Sequence, residues 1–423
     1  MKELRFMTGQ NLRRMIAFAF VLLISTTLAN AQDGSTRPRR VNPPAVSRVD
    51  EDRPATTTND APLLPNTSSS NNSNRTRTNV DRNDSGATGD TARAYSLFQQ
   101  KQYAEAAREA RRVAGVDPRN AEAWKIAGFS ELNLKQYEEA AVALQKALDL
   151  QRTAGKEDNN TIDALAQAYT LAEKFEQALP LLVAATTRKG ATPDASLLYY
   201  RGLAEYRTGR AAEAERSFNA AVRANPKDAV SLFYVGQIAY ERKDMDASIA
   251  ALNRATLLDS RIASAWQLLT SAYLRRAATA KVEAKADADY LSAVRAGENL
   301  TRLRPDAESS TLYAQALIGA KQYARAATVL ERAASERDAK GVTYYLLGFA
   351  YSRAQNFPKA VQALERAAQL TPEDASVYRE LGYAYEIQKQ YPQALAAYQK
   401  GAQLDPNDTY FKESVERLRP FAN

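Results

Sequence analysis

Apolar and small residues recur three or four apart through most of the chain, the spacing of one helix face. The segment AEAWKIAGFSELNLKQYEEAAVALQKALDL, from Ala121, shows it most clearly. Trp124, Ala127, Gly128 and Glu131 share a face of one helix. After a short turn at Lys135-Gln136, Tyr137, Ala140, Leu144 and Ala147 share a face of a second. Two such helices joined by so short a turn predict an antiparallel pair.

The pair repeats. KQYAEAA at 101–107 returns as KQYEEAA at 135–141, KQYARAA at 321–327 and KQYPQAL at 389–395. Lys101 and Lys135 are 34 residues apart, and Lys321 and Lys389 are 68 apart, twice that period. A fixed period of this size predicts a stacked-repeat architecture. Nine units begin near residues 87, 121, 159, 195, 229, 263, 307, 341 and 375. Each first helix has a small residue in one column, such as Gly128, Gly202, Gly236, Gly348 and Gly382. Each second helix has one too, such as Ala140, Ala214, Ser248, Ala360 and Ala394. A larger side chain in these columns would overpack a close helix crossing. Prolines at 118, 226, 305, 372 and 406 close second helices.

These columns resemble the tetratricopeptide repeat (TPR). That pattern has a large residue early in helix A, then a small one, and in helix B an aromatic, Ala, a large residue, Ala and a closing Pro. The resemblance covers 87–408, with 409–423 as a C-terminal capping helix whose Phe411, Val415 and Leu418 share a face. It implies an all-α fold, a right-handed superhelical solenoid of antiparallel helix pairs with helix A lining the concave side. In that family the groove residues are the second, fifth, sixth, ninth, twelfth and thirteenth of each unit. Carried onto this chain, the rule points to Tyr199, Tyr200 and Tyr206, then Phe233, Tyr234, Gln237 and Tyr240. In the last two units it points to Tyr345, Phe349, Arg353, Arg379 and Tyr383. Rings at such positions give large contact area at low entropy cost. The family's carboxylate clamp is absent, because its Asn positions hold residues such as Phe129, Ala164, Tyr200 and Tyr234.

Unit six departs from the period. It carries about eleven extra residues, in AATAKVEAKADA at 277–288. Their Ala, Lys and Glu favour helix, which predicts about three extra turns on helix A. Asp287 and Asp289, like Glu138 and Glu139, are expected on solvated helix faces.

The first 86 residues read differently. Lys2, Arg5, Arg13 and Arg14 precede the apolar stretch IAFAFVLLISTTLA at 16–29, which ends in Ala29-Asn30-Ala31. This is the pattern of a signal peptide, 1–31, cleaved near Ala31, and it predicts export to the periplasm or beyond. Residues 32–86 are rich in Pro, Ser, Thr, Asn and Arg, which predicts a disordered leader. No later stretch could span a membrane.

Composition narrows the chemistry. The 423 residues contain no Cys and no His. That excludes disulfides, a lipoprotein anchored through Cys, Cys nucleophiles, Ser-His-Asp triads and the common zinc sites. No phosphate-binding glycine loop appears. No catalytic residue, cofactor or metal is therefore expected. The net charge is +8, of which the signal segment supplies +3, and the charges are interspersed, so no nucleic-acid partner is expected. The expected function is a non-catalytic protein–protein interaction scaffold in the cell envelope, holding a protein or peptide partner. The alternative is a glycan-binding accessory of polysaccharide export or cell-wall assembly.

Overall fold

A computed structural model describes residues 90–190, 192–337 and 339–421. The signal segment and the leader lie outside the described residues. The described chain is all α-helical, with nineteen α-helices and a closing 3-10 turn. It divides into two compact units, one ending at Val235 and the other starting at Gly236.

The first unit holds α1 (Ala92–Gln99), α2 (Tyr103–Val116), α3 (Ala121–Asn133), α4 (Tyr137–Thr153), α5 (Asn159–Leu171), α6 (Phe175–Thr186), α7 (Ala195–Arg207) and α8 (Ala211–Ala224). The helix α9 (Ala229–Glu241) contributes its residues up to Val235. The second unit continues with α10 (Met245–Leu258), α11 (Ala263–Thr279), α12 (Glu283–Leu303), α13 (Ala307–Gly319) and α14 (Tyr323–Ala334). It ends with α15 (Gly341–Arg353), α16 (Phe357–Leu370), α17 (Ala375–Ile387), α18 (Tyr391–Leu404) and α19 (Thr409–Leu418). Consecutive helices pack against each other as predicted from α1 to α8 in the first unit and from α10 to α19 in the second.

Local chemistry sets both ends of each pair. Most helices A start at an Asp or Asn cap: Asn120 accepts from the Ala123 N–H, Asp194 from Ser196 and Asp374 from Ser376, whereas Thr91, Ile262 and Lys340 stand at that position without a side-chain cap. Such a cap is worth about 1 kcal/mol. The tight turn into helix B needs one left-handed residue, and KQY supplies it with its Lys. Lys101, Lys135, Lys321 and Lys389 all have φ near +60°. The Gln136 N–H then donates to the Glu131 carbonyl and the Lys135 N–H to Leu132, closing the helix-end carbonyls. Among the described residues, the unit with Gly209 is the one that uses glycine there.

The small column of helix A has a definite partner. A Cβ on Gly128 would meet Leu144 at 2.5 Å, on Gly348 Leu364 at 2.4 Å, and on Gly382 Tyr398 at 2.5 Å. The glycine therefore accommodates the large residue of helix B, one turn beyond the small one. Phe411 and Leu418 of α19 are buried, as the capping pattern predicts, while Val415 is half-buried and Ser414 joins the buried face.

Two expectations are corrected. The extra residues of unit six do not lengthen helix A alone. Helix α11 ends at Thr279, and α12 begins at Glu283, well before the Tyr290 that opens helix B in the other units. Both helices grow, so that each extension buries a small residue against the other, Ala277 from α11 and Ala286 from α12. A longer helix A by itself would have had no neighbour to pack on. Asp289, expected in solvent, is buried on this hairpin and paired with Arg276, whereas Asp287 is exposed.

Candidate partner-binding sites

The aromatic residues picked out by the repeat register come together, but largely on one another. In the first unit Tyr200, Phe233 and Tyr234 are buried, and Tyr199 and Tyr206 are half-buried. Tyr234 stacks on Phe218 with ring centres 4.8 Å apart. Tyr199 lies 6.2 Å and Tyr206 5.8 Å from the Tyr234 ring. Gln167 donates to the Tyr200 hydroxyl at 3.1 Å. Periodic rings that touch each other are packing first. The edges of Tyr199 and Tyr206 are what this cluster leaves to solvent.

In the second unit Tyr345 and Phe349 are buried, and burial pushes the Tyr345 hydroxyl well above its usual pKa. The Arg353 guanidinium lies 4.3 Å from the Phe349 ring and 5.6 Å from Tyr383. It also donates to the buried Glu380 carboxylate at 3.1 Å. Burial raises the Glu380 pKa, and Arg353 opposes that rise. Arg379 is separate from this group: it pairs with Asp408 and lies over the Tyr410 and Phe411 rings of the capping region. Both arginines are thus engaged within the repeat stack. Gln237 donates to Glu241 at 3.3 Å.

Tyr240 leads to a different place. It lines a cavity of about 360 Å³ in the second unit with Gln267, Ser271, Thr311, Leu312, Gln315 and Thr343. Asp306, Ala307, Glu308, Glu336, Lys340 and Val342 complete the wall. A cavity of this size is within the range that holds small ligands or a partner's side chain. The residues fall on the groove register. Gln267 and Ser271 are fifth and ninth of their unit; Glu308, Thr311, Leu312 and Gln315 are second, fifth, sixth and ninth of the next; Tyr240 is twelfth of its own. Burial raises the Tyr240 pKa, which the Arg275 charge and a Ser271 hydrogen bond partly offset. Arg275 sits 4.7 Å from that ring.

Apart from Tyr240, these lining residues were not among the sequence-derived candidates. The register rule reaches them, but they are polar or aliphatic, and a search for rings passes over them. The first unit has a shallower hollow of about 410 Å³ by Trp124, Val142 and Tyr169, on which Arg111 and Lys146 also border. Among the described residues no cluster of Asp and Glu could hold a metal ion, and no helix is long and apolar enough to cross a membrane.

A sequence profile described as Tetratricopeptide repeat matches residues 91–155, 164–229, 201–265 and 345–409. No curated protein matches the chain. Among solved structures, the chain is similar to YrrB, described as a TPR protein with an unusual peptide-binding site. Identity is 17%, coverage is 48% of this chain and 99% of that one, and the TM-score is 0.40. A tetratricopeptide repeat protein from Parabacteroides merdae is 15% identical over 62% of this chain and 98% of its own, with TM-score 0.39. The APC/C hetero-tetramer Cut9-Hcn1 shares 13% identity over 74% of this chain and 58% of its own, with TM-score 0.37.

Proposed function

Because the chain belongs to the tetratricopeptide repeat family, we propose that it is an exported, non-catalytic scaffold that holds a segment of a partner protein against its groove-register residues. The fold supports a protein-interaction scaffold in general, and proteins of this fold are generally non-catalytic. The observation that carries the finer reading is the cavity at Tyr240, Gln267, Thr311 and Leu312. It draws on register positions of successive repeats, where an extended segment would cross several helices A in turn. The half-buried edges of Tyr199 and Tyr206 belong to the same reading.

A photo-crosslinking residue placed at Leu312 in the full chain tests it, with the same residue at Leu257 as control. Leu257 lies on a helix B and is 86% exposed. In cells, the Leu312 form is expected to crosslink a defined protein that the Leu257 form does not. Equal labelling from both positions, or labelling from Leu257 alone, would sink the groove reading. Retention on purified polysaccharide with no protein crosslinked would replace it by the glycan reading.

Export is supported by the signal pattern alone. N-terminal sequencing of the protein from its native cells is expected to begin at Gln32. An intact start at Met1 would remove the envelope from the proposal.

A further inference from the structure

Several acceptors on the wall of the second unit's cavity lack donors, although Lys340, the Gln315 amide nitrogen and the Tyr240 hydroxyl bring donors to the same wall. Thr311 Oγ1 donates to the Ala307 carbonyl at 2.7 Å, so its single proton is engaged. In the 3.1 Å contact between Thr311 and Thr343 the donor is therefore Thr343, whose oxygen is left with lone pairs only. Gln315 lies on the same wall, 5% exposed, and its side-chain oxygen Oε1 has no donor. A buried acceptor left without a donor costs about 1–3 kcal/mol, so its presence at a cavity needs an explanation.

The charges point the same way. Three carboxylates, Asp306, Glu308 and Glu336, border the cavity against one ammonium, Lys340. Asp306 is occupied: it caps α13 at the Ser309 N–H, 2.7 Å, and pairs with Arg304 at 3.1 Å. Arg304 also satisfies the Gln267 oxygen at 2.9 Å. Glu336 uses one oxygen to accept the Ala307 N–H at 3.1 Å, and Glu308 accepts only a long bond from Gln267 at 3.4 Å. Among the described residues neither glutamate forms an ion pair.

We propose that this cavity binds a guanidinium, the side chain of an arginine in the partner segment. This rests on the scaffold reading and names the chemistry that the partner must present. A guanidinium carries five N–H donors and no acceptor, with a charge that survives partial desolvation. It supplies donors for Gln315 Oε1 and Thr343 Oγ1 and a cation for the Glu308 and Glu336 carboxylates, which form no ion pair among the described residues, and its stem packs on Leu312, Val342 and the Tyr240 ring. An ammonium has fewer donors and is more strongly hydrated. A carboxylate would meet like charge.

The test uses the full chain and Nα-acetyl-arginine amide, followed by ligand-observed saturation-transfer NMR. Nα-acetyl-citrulline amide, of nearly the same shape but uncharged, is expected to bind about tenfold more weakly. Nα-acetyl-lysine amide is expected to fall between them. The double variant Glu308→Gln/Glu336→Gln keeps the wall's shape and is expected to weaken arginine binding about tenfold. Lys340→Gln at the mouth is expected to strengthen it about twofold. Citrulline or lysine binding as well as arginine, an unchanged double variant, or no arginine binding would each overturn the inference. Crosslinking from Leu312 that persists in that case leaves the scaffold reading standing. Arginine selectivity without any crosslinked protein would remove the scaffold reading and keep the guanidinium site.

Discussion

Replacing Arg276 by Met is expected to destabilise the long hairpin of α11 and α12 by about 3 kcal/mol. Asp289 is 4% exposed and takes both donors of one edge of Arg276, Nε to Oδ2 at 2.9 Å and a terminal nitrogen to Oδ1 at 2.7 Å. Asp246 accepts from the remaining terminal nitrogen at 2.6 Å. The hydrogen bond to Asp289 is the largest reason that the Arg276 pKa is raised. Removing the cation strands a buried carboxylate, which is where most of the loss comes from. The double variant Arg276→Met/Asp289→Leu removes both charges and is expected to recover most of the stability. Repeat arrays need not unfold in one step. Hydrogen exchange within α11 and α12 is therefore the reading to take, alongside urea unfolding. A loss under about 1 kcal/mol for Arg276→Met would show that water reaches Asp289 and solvates it.

Gly348→Val is expected to cost about 3 kcal/mol. Its Cβ would land 2.4 Å from Leu364 Cγ and 3.1 Å from the Ala360 carbonyl. Leu364 is fully buried between helices and the Ala360 carbonyl belongs to the α16 backbone, so neither can yield without moving α16 away from α15. Gly348→Ala places the same Cβ and is expected to behave similarly, only less severely. Leu364→Ala alone opens a cavity and is expected to cost about 2–5 kcal/mol. The pair Gly348→Ala/Leu364→Ala is expected to be less destabilised than the sum of its parts, because the new methyl fills part of the space vacated. Additive losses, measured by thermal or urea unfolding, would show that the two residues do not share one contact.

Both predictions rest on features legible to different degrees. Gly348 stands in a column that the 34-residue period makes visible, and only a close crossing explains a glycine there in repeat after repeat. Its partner was not visible. The small residue of helix B is close, since the Ala360 carbonyl lies 3.1 Å from that Cβ, but the side chain that fills the glycine's space is Leu364 and, in the last repeat, Tyr398. Side-chain reach along the helix decides that, and spacing alone does not encode it. Arg276 and Asp289 were less legible still. An Asp in a run of Ala, Lys and Glu has the composition of a solvated face, and only the turn at 280–282 brings it against α11. The candidate site shows the same division. The register marks Gln267, Thr311 and Gln315 as readily as Tyr199 and Tyr234. It does not say that Tyr234 is covered by Phe218 or that Gln315 Oε1 lacks a donor.

The sequence by itself determined the helix pairs, their period, their closing prolines and their small columns. These follow from contacts within a turn or between neighbours joined by a tight turn, where spacing alone dictates which residues meet. The tertiary structure alone decided which rings are packing, where the extra residues of unit six turn back, and which wall holds buried acceptors without a partner. Those outcomes depend on distances between side chains from different helices. A change of an ångström there, too small to leave a trace in periodicity, converts a surface residue into a buried one.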